Sequence, residues 1–206
     1  ISVLATVGSL ERNIQNEIKS LGNNTIYLDK WDYSAGGGPD FPWWRYVNRP
    51  APKYDEIKFI RERTAGAKYI AFRIKVTDDV GYANSLLSNV NIYGVNEDFE
   101  QIQQIELMQG RYISNAEFER GIPVVVVGFS VAEKLFGTAE LAIDKTIEIR
   151  GQKLAITGII TKQGKQMIGG WDFDQSVLIS YRFARTIMNE YKADPVIMIQ
   201  GEEGIT

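Results

Sequence analysis

Residues 89–137 read NVNIYGVNEDFEQIQQIELMQGRYISNAEFERGIPVVVVGFSVAEKLFG. Val90 and Ile92 alternate with Asn89 and Asn91, the period-two pattern of a strand with one polar face. Gly94 leads from it into a short acidic helix, and Gly110-Arg111 makes a turn. Val124–Val127 is apolar at every position, as expected of a buried strand. Gly128-Phe129-Ser130 then stands between strand and helix, where a hydrolase carries its nucleophile elbow. The chain contains no histidine, so no Ser-His-Asp triad can be assembled within it. A structural role is available instead: Ser130-x-x-Glu133 has the pattern of a capping box opening a helix Val131–Phe136. Val131 and Leu135 would form its buried face, and Gly137 its left-handed stop. Gly110 and Gly137 are both expected to hold positive φ.

Composition removes several function classes. With 23 Lys and Arg against 26 Asp and Glu, mixed along the chain, there is no clustered basic surface for nucleic acid. The absence of cysteine excludes disulfides and thiolate chemistry, and with histidine also missing, zinc, copper and haem lose their usual ligands. Asp172-Phe173-Asp174 and Asp78-Asp79 are the remaining candidates for a hard-ion site, but neither has the ligand number of a calcium loop, and both read as turn residues. No G-x-x-x-x-G-K-[ST] loop is present, which excludes ATP hydrolysis by that route.

Outward from the central stretch, Val3, Val7, Leu10, Ile14, Ile18 and Leu21 recur at helical steps, so Ser2–Leu21 is expected as an amphipathic helix closed by Gly22. Ile1–Val7 is too short to cross a bilayer; it fits either a membrane helix cut at the surface or a buried helical turn. Thr25–Leu28 reads as a strand, Tyr54–Thr64 as a helix with Ile57 and Ile60 inward, and Ala67–Val76 as a strand with Ile70, Phe72, Ile74 and Val76 on one face. Asp78–Gly81 is expected to turn the chain into a strand near Ser88–Gly94. Thr146–Arg150 and Lys153–Ile160 alternate around Gly151-Gln152, which fits a type II′ hairpin. Residues 161–175 form a loop with Gly164 and Gly169-Gly170 as hinges. Val177–Ile179, a helix from Tyr181 to about Tyr191 and strand Val196–Ile199 close the chain.

Trp31–Tyr54 carries seven aromatic rings around Gly36-Gly37-Gly38-Pro39. Long connections of this kind are usually functional or disordered, and the aromatics argue against disorder. Two readings stay open, a self-packed loop and a contact surface presenting Phe41, Trp43 and Trp44.

The order of these landmarks resembles the periplasmic core domain of MacB/FtsX-like ABC transporter permeases. The resemblance is carried by Leu21-Gly22-Asn23-Asn24-Thr25-Ile26, Leu107-Met108-Gln109-Gly110-Arg111-Tyr112 with Glu117, Val124–Gly128, Leu135-Phe136-Gly137 and the hairpin Asp144–Ile159. Ser180 stands where the family usually has Pro, and Trp31–Tyr54 does not match its pattern. The resemblance implies an α+β fold of two lobes: a porter-like α/β lobe at 1–110 plus 195–206, and an inserted mixed β/α lobe at 111–194. It implies a non-catalytic extracytoplasmic segment of a bacterial inner-membrane protein, coupling cytoplasmic ATP hydrolysis to export or to an outer partner. The chain itself would hold no cofactor, ATP being bound elsewhere. The implied partners are an ATPase domain or subunit, a second permease copy, and a periplasmic adaptor or lipoprotein. The other class of function, an exported binding module using residues 31–54 for a glycan, peptide or lipid, follows from the aromatics alone.

Overall fold

The computed structural model describes residues 25–30, 50–64, 66–164 and 171–202. The helix expected at 2–21, the segment 31–49 and the glycine pair 169–170 lie outside them. Among the described residues one sheet contains β1 (Thr25–Leu28), β2 (Ala67–Tyr82), β3 (Ser85–Val95), β4 (Leu107–Gly110), β5 (Val124–Val127), β6 (Thr146–Ile149), β7 (Gln152–Ile160), β8 (Ser176–Ser180) and β9 (Val196–Gly201). The helices are α1 (Glu56–Arg63), α2 (Phe99–Gln103), α3 (Asn115–Arg120), α4 (Phe129–Phe136) and α5 (Tyr181–Ile187).

The strand order is β1-β9-β2-β3-β8-β5-β7-β4, with β3–β8 and β5–β7 parallel and the other pairs antiparallel. β6 pairs with both β7 and β2, so the hydrogen bonding closes a ring β2-β3-β8-β5-β7-β6.

Side-chain alternation explains why both faces are buried. Phe72, Ile74, Ile92, Val125, Val127, Ile156 and Ile179 pack on one face with Val131, Ala132 and Leu135 of α4 and Ala184 of α5. Tyr93, Val95, Val124, Val126, Leu178 and Met198 point the other way, against Phe99 and Ile102 of α2, Phe118 of α3 and the rings of Trp171 and Phe173. Gly94 makes the α5 contact possible: a Cβ there would lie against Ala184 Cβ and 2.8 Å from Ile74 Cγ1.

Several expectations need correction. The chain does not turn at Asp78–Gly81; β2 runs on to Tyr82, and between the pairs Asp78↔Val90 and Val80↔Leu87 its Asp79 faces a bulge of two residues, Ser88-Asn89, in β3. The β6–β7 loop is Arg150-Gly151 with φ of 51° and 77°, a type I′ turn and not II′, because Ile149 pairs with Gln152. The last helix ends at Ile187, and Glu190–Lys192 is a separate 3₁₀ turn. β6 and β7 form the expected hairpin, β5 pairs with β7, and β9 returns to β1 and β2. The pairing does not divide into two lobes: β8 joins β3 to β5, β6 joins β7 to β2, and one apolar cluster spans residues from both parts.

Candidate functional site

Ser130 has the environment of a helix-start residue, but not as a cap. α4 begins two residues earlier than the capping pattern predicts, with Gly128 in the N-cap position and no side-chain cap. The amides of Ser130 and Val131 donate to the main-chain carbonyl of Asp174, at 3.0 and 3.2 Å. The turn that leads into β8 thus satisfies the helix start that a local side chain would otherwise serve. Gly128 permits this approach, since a Cβ there would collide with the carbonyl oxygen of Phe173 and lie 2.6 Å from that of Asp174. The S-x-x-E pattern does form a capping box at Ser114, whose amide and hydroxyl both donate to Glu117 at 2.8 Å. Arg111 clamps the same carboxylate through two bonds of 2.7 Å, and this guanidinium holds Glu117 down at about 2. That box carried the same sequence signal as Ser130-x-x-Glu133.

The two Asp pairs are structural. The buried Asp174 carboxylate accepts the amides of Gln163 and Gly164 at 3.0 and 2.8 Å, so Gly164 is tied down in the position expected to hinge. Asp172 accepts the amide of Gln175, and Asp78 binds Arg150. No group of three or more acidic side chains that could hold a cation occurs among the described residues.

A concavity with convergent polar and aromatic groups lies among the described residues between the segment that leads into α1, Phe72 of β2, the first turns of α5 and the 3₁₀ turn at Glu190–Lys192. A small cavity of about 80 Å³ opens there beside Tyr54, Phe72, Tyr181, Arg185, Glu190 and Tyr191. Tyr54 stacks on Tyr181 at 4.2 Å, and Phe72 meets both edge-on. The Tyr181 hydroxyl donates to Glu190; burial first, and then that carboxylate, push its pKa up, so the phenol stays protonated. Arg185 lies over the Tyr181 ring and 3.6 Å from Glu190, so the cleft's strongest charges answer one another. Nothing in the cleft is arranged to activate a nucleophile. Tyr54 also marks where the aromatic segment re-enters the fold, but Phe41, Trp43 and Trp44 lie outside the described residues.

Comparison with known proteins follows the same direction. Residues 1–206 match the model of the MacB-like periplasmic core domain. A macrolide export ATP-binding/permease protein, MacB of Bdellovibrio bacteriovorus, is 26% identical over 87% of this chain, which spans 27% of that protein's length. An uncharacterized ABC transporter permease, YvrN of Bacillus subtilis, is 21% identical over 98% of this chain and 49% of its own. The crystal structure of the periplasmic region of MacB from Actinobacillus actinomycetemcomitans aligns with a TM-score of 0.71 at 15% identity, covering 92% of this chain and 79% of the other. The extracellular domain of the noncanonic ABC-type transporter YknZ from Gram-positive bacteria gives 0.65 at 16%, covering 88% and 85%. At such identities the two structures speak to the fold alone. No described helix is long and apolar enough to cross a membrane.

Proposed function

The chain belongs to the MacB-like periplasmic core domain family, and from that premise we propose that it is the extracytoplasmic part of an ABC permease that couples cytoplasmic ATP hydrolysis to export or to an outer partner. The observation that carries this role is the family match along the whole of residues 1–206, supported by the likeness to the MacB and YknZ domains. The domain itself does no chemistry in this account. Its described residues present no general base beside a nucleophile, and nucleotide binding belongs to a separate ATPase domain or subunit. A second permease copy and a periplasmic adaptor or lipoprotein complete the proposed assembly, and the nucleotide state biases which arrangement of the domain is populated. In the full-length protein, replacing residues 25–202 by a short flexible linker should leave nucleotide binding intact and abolish export. Export at the original rate after that replacement overturns the coupling role.

Phe41, Trp43 and Trp44 are proposed as partner contacts within this assembly. Their segment departs from the family pattern and returns to the fold beside the tyrosine cleft, so it is a place where recognition particular to this protein could be carried on a common scaffold.

A further inference from the structure

The edge of β2 opposite β3 changes partner along its length. It pairs with β9 from Ala67 to Arg73, and the Lys75 amide still donates to the carbonyl of Ala193. Further on, it pairs with β6, through Val80↔Ile149 and Gly81↔Glu148 only. Those two residue pairs close the six-strand ring. The β5–β8 junction is equally short, but its four residues are fully buried and Gly128 extends it by donating to the carbonyl of Ser176. The β2–β6 junction is buried only at its inner pair, Val80 and Ile149; in the outer pair Glu148 is exposed and Gly81 half-buried, and no further main-chain bond extends it among the described residues. Beyond it β2 and β6 splay apart, leaving a cleft of about 650 Å³ walled by Tyr82, Leu86, Thr146, Glu148 and Lys153.

A point of flexure and a fastening sit beside this junction. The bulge at Ser88-Asn89 in β3, opposite Asp79, breaks the β2–β3 register, and within it Asn89 holds a φ of 60°, a left-handed conformation that costs a non-glycine residue energy. Arg150, from the β6–β7 turn, reaches back with Nε to Asp78 Oδ2 at 2.5 Å and with Nη1 to the Ile187 carbonyl at 2.9 Å. That carbonyl belongs to the last turn of α5, where a cation is favoured. One side chain thus joins β2 beside the bulge, the hairpin and a helix end across the gap between β2's two partners.

We propose that the β2–β6 junction is an opening joint of the domain, with the Ser88-Asn89 bulge of β3 as its hinge and Arg150 as the latch that keeps it closed. The ribbon tip at Tyr82–Leu86 and the β6–β7 hairpin are the parts that separate, and the cleft between them widens as they do. Arg150 is a positioning residue, and the joint's test needs no transport assay. Its failure is therefore distinguishable from failure of the coupling role.

The chain has no cysteine, so two introduced thiols carry the only spin labels. Leu86→Cys and Gln152→Cys place one exposed label on each side of the joint, and Glu119→Cys with Glu133→Cys gives a control pair on α3 and α4. Adding Arg150→Ala should raise the population at the longer distance by roughly tenfold across the joint, as loss of an ion pair and a charged hydrogen bond implies, while the control distances stay narrow. Asp78→Asn, which keeps the side chain's shape, should produce a smaller shift in the same direction and serves if the arginine variant folds poorly. An unchanged distribution across the joint in a folded variant overturns the latch. Equal broadening of both pairs overturns it too, since that is general loosening.

Discussion

Two glycines with nearly the same backbone angle should respond very differently to alanine. Gly137 closes α4 at φ 84° and a Cβ there would meet nothing within 4 Å, so Gly137→Ala costs only the backbone strain, about 1 kcal/mol. Gly110, at φ 80°, ends β4 against β7. A Cβ there would collide with the Thr157 carbonyl oxygen, lie 2.7 Å from Ile143 Cδ1 and 2.9 Å from Gly158 Cα. Two of these neighbours are main chain and cannot rotate away. The same Thr157 carbonyl accepts the Arg111 amide at 2.8 Å, so moving it weakens that bond. Strain of about 1 kcal/mol, overpacking of about 1–3 and a weakened hydrogen bond of about 1 give roughly 3–5 kcal/mol for Gly110→Ala. At about 2–4 °C per kcal/mol for a domain of this size, Tm should fall by roughly 6–20 °C, against a few degrees for Gly137→Ala. Urea unfolding followed by circular dichroism, with matched m-values, measures both costs. Equal losses, within about 0.5 kcal/mol, would refute the placement of β4 against β7.

Other outcomes follow from the capping and the site. Ser130→Ala should change stability by less than about 0.5 kcal/mol, because Asp174 caps α4, whereas Ser114→Ala should cost about 1 kcal/mol; the reverse order in the same unfolding assay would contradict both assignments. Glu117, held at about 2 against an ordinary 4.5, contributes stability that is fully present above 4.5 and is lost as pH falls toward 2. Glu117→Gln should therefore flatten part of the acid limb of the stability–pH curve, modestly because Arg111 is largely exposed, and an unchanged limb would show that the clamp is absent in solution. Alanine at Phe41, Trp43 or Trp44 should leave the far-ultraviolet circular dichroism and Tm unchanged to within about 2 °C while impairing export or partner binding in the full-length protein. A large fall in Tm would make those rings core residues instead.

What could be read before the structure was mostly local. The all-apolar run Val124–Val127, the alternation at Ile147, Ile149, Leu154 and Ile156, and the Val131–Leu135 spacing with its terminal Gly137 each carry their structure within a few residues. The corrections that bear on the candidate sites and on the closure of the sheet come from partners distant in sequence, whereas the turn at Arg150-Gly151 and the end of α5 are local. Ser130 and Ser114 open the same pattern, and only the approach of Asp174, 44 residues from Ser130, separates them. Asp78-Asp79 looks like a turn until Arg150 supplies a counter-charge and β6 continues the pairing at Val80. Ring closure depends on β2 meeting β6, and no periodicity within either strand announces it. Tyr54 was visible as one aromatic among many, but its stack on Tyr181 needs the fold to bring the two rings together.

Which side of the membrane this domain occupies is the most direct question for the account. Leu86 is 67% exposed at the tip of the β2–β3 ribbon, so a cysteine there is open to reagents without disturbing the core. In the full-length protein, with the unsubstituted protein as the control, Leu86→Cys should react with a membrane-impermeant maleimide while the inner membrane is intact, once any outer membrane has been permeabilised. Reaction only after the inner membrane is broken would put the domain on the cytoplasmic side and contradict its role in an ABC permease.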